Sequence, residues 1–220
     1  VPVFVGHYGV AFAVKRAAPR VPLWVTFVAV QWLDVVWSLL VLLGIEKLRI
    51  VPGITEANAL DLYYMPYTHS LPGALALAVL LGGVAALVFA DRRGATFLAV
   101  SAAVFSHWIL DLVVRIPDLP LYDNAAKVGF GLWRHVAISF SLELIPLVGG
   151  AWIYTRAVPA ASMRGHYAMR GFVALLVLLQ VYANFGPPPA SEDTMAIMAL
   201  GFYAVLAAIA AWVETARGRS

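Results

Sequence analysis

The chain has 220 residues, of which 62% are hydrophobic and 12% charged, with a formal net charge of +3 and a mean hydropathy of +0.85. That charged fraction is about half of what a soluble domain carries, which excludes an ordinary soluble enzyme. The basic excess lacks the stripe of interleaved aromatics that a nucleic-acid groove needs, and the absence of cysteine excludes disulfides and thiolate ligands.

Taken in chain order, residues Val1 to Val14 are apolar and contain His7. At the helical rise they reach only about two-thirds of the way across a bilayer, so they read as a half-helix or re-entrant segment. Lys15 and Arg16 follow this run rather than precede it. The order of a secretory signal is the reverse, and the segment is expected to stay in the mature protein.

Six longer apolar stretches follow: Pro22 to Gly44, Pro72 to Ala90, Ala95 to Val114, Val136 to Thr155, Tyr167 to Gly186 and Thr194 to Val213. Each is long enough to cross ~30 Å of hydrocarbon as a helix. The connections are too short for a separate soluble domain. The expected architecture is a single all-α integral membrane domain over residues 1–220, a bundle of six transmembrane helices with a short N-terminal apolar half-helix. Lys and Arg divide ten to five between the two sides, which places the ten-charge side, including the N- and C-terminal basic links, in the cytoplasm. Loops Ile45 to Leu71 and Arg115 to His135 then face outward. Trp24, Tyr63, Tyr64, Tyr67, Trp133 and Tyr154 lie near span ends and read mostly as interfacial anchors.

Five ionisable residues stand in or beside these spans: His7, Asp34, His69, His107 and Asp111. Such groups are expensive at membrane depth and mark functional sites by default. His107 and Asp111 are four apart, one turn on one helix face, fit to share a cation or to pair as ligand and orienting carboxylate. Asp34 and His107 both fall ~12–15 Å below the outer face at the helical rise. His7, counted from Lys15, reaches about mid-bilayer, and His69 stands at the outer mouth of its span, from which it must dip inward. The five are expected to form one polar site on the outer half, a metal site of His, carboxylate and water. Glu143 has two readings, as a partner of a metal-bound water or of Arg134, or as a structural carboxylate between helices. His135 reads as interfacial and His166 as a solvated loop residue.

The order Gly6-His7, Leu33-Asp34, Thr68-His69-Ser70 and His107-Trp108-Ile109-Leu110-Asp111 resembles the YdjM-like membrane-bound metal-dependent hydrolases, a bacterial group. The same order of ligand types is similar to the zinc-dependent phospholipase C and single-strand nuclease superfamily, all-helical phosphoesterases with a zinc cluster. The resemblance covers Gly6 to Asp111. It implies one zinc on Asp34, His69, His107 and Asp111, with Asp111 bridging to a second metal on His7 and Asp34 serving as ligand or general base. It further implies a bacterial inner (cytoplasmic) membrane enzyme acting at the outer leaflet on a phosphoester of a lipid or another membrane-associated substrate, with membrane lipids as partners. The chain departs from the soluble enzymes where their HxxxE pair would hold a third metal: four residues after His135 stands Ser139, and Glu143 follows a turn later. The motif segment Gln31 to Val36 also carries one acidic residue where the membrane group commonly has two.

Two other classes use the same residues. A divalent-metal-binding or transport protein would take the cluster as a cation site, and an accessory subunit of a membrane complex would use it only to fasten helices. The polar residues concentrate on the outer half, which favours a one-sided pocket. Gly82-Gly83 and Gly149-Gly150 offer close helix packing.

Overall fold

The computed structural model describes residues 5–89 and 92–218. Residues 1–4 of the expected half-helix, Ala90 at the end of the second expected span and Arg219 in the basic tail lie outside the described residues. The remainder forms eight α-helices and two small hairpins: α1 (Gly6–Ala17), α2 (Leu23–Val30), α3 (Trp32–Leu42), β1 (Lys47–Ile50), β2 (Leu60–Tyr64), α4 (Leu71–Val88), α5 (Arg93–Val114), β3 (Leu119–Tyr122), β4 (Ala125–Val128), α6 (Val136–Ala157), α7 (Met163–Phe185) and α8 (Glu192–Ala216). Among the described residues, α4 to α8 are each long and apolar enough to cross a membrane, and α2 with α3 makes a sixth span if the pair counts as one broken helix. The all-α bundle is therefore as expected. The first span differs, because it bends by 56° at Gln31.

Helix starts follow local chemistry. Ser70, Ser162 and Ser191 cap α4, α7 and α8, accepting from the amides of Gly73, Gly165 and Thr194 at 3.2, 3.2 and 3.1 Å, which satisfies amides that the helix itself cannot. Helix α1 has no such cap of its own. Its first amide, Gly6 N–H, donates instead to Glu143 on α6 at 2.7 Å, so the start of α1 is fixed by a tertiary contact.

The bundle is built on an inside-out pattern. Helix α4 buries Ala74, Ala78, Gly82, Ala85 and Ala86, while Leu75, Val79, Leu80, Val84, Leu87 and Val88 face outward. Burying small residues and displaying large apolar ones makes sense where the surroundings are lipid, since helix association then depends on close backbone approach. A Cβ on Gly82 would meet the backbone and Ser101 of α5, and one on Gly150 would strike the backbone of Gly9. Gly83 and Gly149 face open space. Of the two glycine pairs, one member of each makes the packing contact.

Helix α1 is the centrepiece, wrapped by α2, α5 and α6. It is apolar almost all round and accordingly buried, from His7 and Tyr8 through Phe12 to Lys15. Gly9 permits this placement: a Cβ there would overlap the carbonyl of Pro146 on α6. Its Tyr8 and Phe12 pack ring on ring with Phe27, Tyr154 and Phe172. Tyr154 and Trp133, expected at the interface, are 0% and 1% exposed, having been drawn inward by this packing and by the roof described next. Trp24 and Tyr67 are exposed, as anchors should be.

The two long loops hold the hairpins. Strands β1 and β2 pair antiparallel with Arg49 opposite Asp61, and β3 pairs with β4 with Leu119 opposite Val128. Asn124 and Lys127 of the second hairpin both donate to the Tyr63 carbonyl of the first, at 3.1 and 2.6 Å. Together they form a roof with its own apolar cluster, including Trp37, Leu48, Leu62, Met65, Trp133 and Met195, separate from the bundle core.

Candidate metal centre

Asp34, His69, His107, Asp111 and His7 converge just beneath this roof, all of them buried. They arrive from four elements. Asp34 lies in the first turn of α3, His107 and Asp111 on consecutive turns of α5, His7 in the first turn of α1, and His69 in the short segment before α4. His69 dips inward from that segment rather than from the helix, and it is 1% exposed.

Two imidazoles have their outer nitrogens fixed. The Thr68 hydroxyl donates to Glu46 Oε2 at 2.6 Å, so at 2.7 Å from His69 Nδ1 it acts as the acceptor of that ring's N–H. Val30 is the last residue of α2, and its carbonyl can only accept, so His107 Nδ1 donates to it at 2.8 Å. In both rings Nδ1 carries a proton and Nε2 is turned to the centre, the arrangement by which outer partners orient histidine ligands.

Facing those nitrogens are carboxylate oxygens. His69 Nε2 and His107 Nε2 lie 3.3 and 3.5 Å from Asp34 Oδ1, and each lies 3.7 Å from Asp111 Oδ2. His7 Nε2 is 3.8 Å from Asp111 Oδ1, an oxygen with no hydrogen bond among the described residues. Either a proton on Nε2 or a metal ion between them holds such groups together. With metal–ligand bonds of ~2.0–2.2 Å, tetrahedral ligand atoms stand roughly 3.3–3.6 Å apart, close to the spacing seen. Two overlapping donor sets therefore fit a metal ion: Asp34, His69 and His107, and His7, His107 and Asp111.

The surrounding residues hold the carboxylates. Tyr203 on α8 donates to Asp34 Oδ2 at 2.8 Å. Arg115 Nη1 donates to Asp111 Oδ2 at 2.9 Å and Nε to Asp118 Oδ1 at 2.8 Å. Burial disfavours the Arg115 charge, but Asp118 and Asp111 outweigh it and hold the guanidinium pKa above its ordinary value. For Asp118, burial outweighs Arg115 and raises the carboxyl above the usual range. Trp108 Nε1 donates to the His69 carbonyl at 2.9 Å. Gly129 and Gly131, at φ of 156° and 78°, turn the chain back on the end of α5, so that Phe130 and Gly131 donate to the carbonyls of Leu112 and Arg115. At Gly129 a Cβ would collide with the carbonyls of Ile116 and Arg115, so glycine is required twice over.

Glu143 makes an interhelix contact of the structural kind, capping α1 through Gly6 N–H. His135 and His166 are exposed and stand apart from the cluster. Sequence reasoning missed Arg115, Glu46, Asp118 and Tyr203. Arg115 had a signal, standing one helical turn after Asp111; Tyr203 had only its position within an apolar span.

Between Asp34, His69, Asp111 and Arg115 on one side and Leu60, Met65, Trp133 and Met195 on the other lies a cavity of about 10 Å³. That is room for roughly one water. Comparison with protein-family models, with curated proteins and with solved structures gives no match.

Proposed function

We propose that the protein is a membrane-bound, metal-dependent hydrolase that cleaves a phosphoester of a lipid or another membrane-associated substrate at this cluster. The observation that carries the reading is the set of three inward-facing Nε2 atoms, of His7, His69 and His107, 3.3–3.8 Å from carboxylate oxygens, a donor set suited to zinc. His69, His107, Asp34 and Asp111 would hold one ion, and His7 with Asp111 a second. Divalent ions so placed would lower the pKa of a bound water and polarise a phosphoryl oxygen. Asp34, held by Tyr203, is the candidate base, and Asp111, held by Arg115, bridges. The ligand order that resembles the YdjM-like hydrolases supports the same reading, as does the ten-to-five division of basic residues for a site facing outward from a bacterial cytoplasmic membrane.

One observation favours metal binding without catalysis: the roof leaves space for about one water and none for a substrate. Transport across the bilayer is supported less, because the aromatic stack around Phe12 and Phe27 fills the bundle on the far side of the cluster. The test is hydrolysis of short-chain phospholipids and of a soluble phosphodiester by zinc-loaded protein, beside Asp34→Asn. Turnover abolished in the variant supports the hydrolase; metal bound with no turnover of either substrate leaves the binding reading.

A further inference from the structure

Arg115 is buried to 1% exposure, and its guanidinium is used unevenly. Nη1 and Nε meet the carboxylates of Asp111 and Asp118, while among the described residues the hydrogen-bond partner of Nη2 is the Met65 sulfur, at 3.4 Å, with the Trp133 ring 5.8 Å from the guanidinium carbon. A thioether is a weak acceptor, and a buried charged donor without an oxygen partner is costly. Arg115 lines the same small cavity as Asp34, His69 and Asp111, and so does Met65, the partner of Nη2. Met65, unbranched and just past the end of β2, roofs that cavity and is the side chain most able to swing away.

Charge points in the same direction. The carboxylates of Asp34, Asp111 and Asp118 face the single guanidinium of Arg115, and the buried carboxyls of Glu46 and Glu143 stand behind the ligands. On the reading that this is a two-ion metal site, the ions would take up that negative charge and leave the site able to accept an anion beside Arg115.

We infer that Arg115 Nη2 is an oxyanion-binding donor, and that a phosphoryl group displaces the Met65 sulfur from it when the substrate enters beside the cluster. The inference rests on the metal-site reading and goes beyond it by assigning the substrate's anionic oxygen to a residue of this chain. A guanidinium fork already committed at two nitrogens presents the third in a fixed direction, which suits a planar or tetrahedral oxyanion better than a neutral carbonyl.

The experiment is equilibrium dialysis of inorganic phosphate and, separately, of dihexanoyl phosphatidic acid against zinc-loaded, detergent-purified protein, with metal content measured on the same samples. Two variants accompany the wild type. Arg115→Met removes the donor; Met65→Gln leaves the Arg115 ion pairs intact and offers Nη2 an amide oxygen in place of sulfur. The expected result is phosphate binding by the wild type, weakened about tenfold or more in both variants, with Met65→Gln retaining its zinc. Tighter binding of the lipid than of free phosphate would identify a lipid headgroup as the source, and the reverse a soluble phosphoester. Retained zinc with unchanged phosphate affinity in Met65→Gln, or a zinc-loaded wild type that binds neither ligand, overturns the role of Arg115 while leaving the metal site standing. A wild type that holds no zinc overturns both.

Discussion

His107 Nδ1 and the carbonyl oxygen of Val30 lie 2.8 Å apart, which ties the bend between α2 and α3 to the centre of the cluster. A continuous helix would direct the Val30 carbonyl along its own axis to a residue four further on. Breaking the span at Gln31 turns that carbonyl toward His107 and sets Asp34, three residues later, opposite the same ring. The bend therefore positions one ligand directly and another through its backbone.

The partner of His69 gives the most economical test of ligand orientation. Thr68→Val keeps the side-chain shape and removes the oxygen that accepts from Nδ1. Metal affinity is expected to fall roughly 10–100-fold, the usual effect of losing an outer partner, with little change in folding. Chelator competition on purified protein measures it.

Tyr203→Phe removes the hydroxyl that donates to Asp34. A hydrogen bond to a charged group contributes ~1.5–3 kcal/mol, so metal affinity is expected to drop by about tenfold or more, read by the same competition. Unchanged affinity would mean that Tyr203 fastens α8 to α3 without tuning the site.

The glycines separate packing from flexibility. Gly9→Ala drives a methyl into the Pro146 carbonyl, and because backbone cannot yield cheaply the cost is expected to exceed the ~1–3 kcal/mol of ordinary overpacking. Gly83→Ala meets nothing and is expected to stabilise α4 by ~0.5–1 kcal/mol. Thermal unfolding in detergent should show opposite shifts in Tm.

Far from the cluster, Lys15 Nζ lies 2.5 Å from Glu214 Oε1 and also donates to the Val21 carbonyl, while Glu214 Oε2 accepts from Leu23 N–H at 2.7 Å. The ends of α1, α2 and α8 are thus joined by one buried ion pair. Breaking it by Lys15→Met is expected to cost ~3–5 kcal/mol, since Glu214 is left charged and buried. Pairing that change with Glu214→Gln should recover part of the loss, which a double-mutant cycle measures.

Much of this was legible in the sequence. Hydropathy gave the long helices, because a run of some twenty apolar residues has one common solution in a bilayer. The cluster was legible because Asp34, His69, His107 and Asp111 are conspicuous among apolar neighbours and because depth could be counted along helices. The break at Gln31 was not: no proline or glycine stands there, and the carbonyl it turns outward, that of Val30, meets its partner 77 positions away at His107. The roof was equally hidden, since its short strands gain their stability from Trp37, Trp133 and Met195, which come from elsewhere in the chain. Trp133 and Tyr154 were misplaced at the interface for the same reason: an aromatic near a span end looks alike whether lipid or protein covers it.

The most direct test of the central claim is elemental analysis of detergent-purified protein beside a His107→Ala/Asp111→Ala variant, with circular dichroism establishing that both are folded. The cluster as described predicts about one to two zinc or other divalent ions per chain in the wild type, lost in the variant. A folded wild type that holds no metal even after zinc is supplied would contradict it.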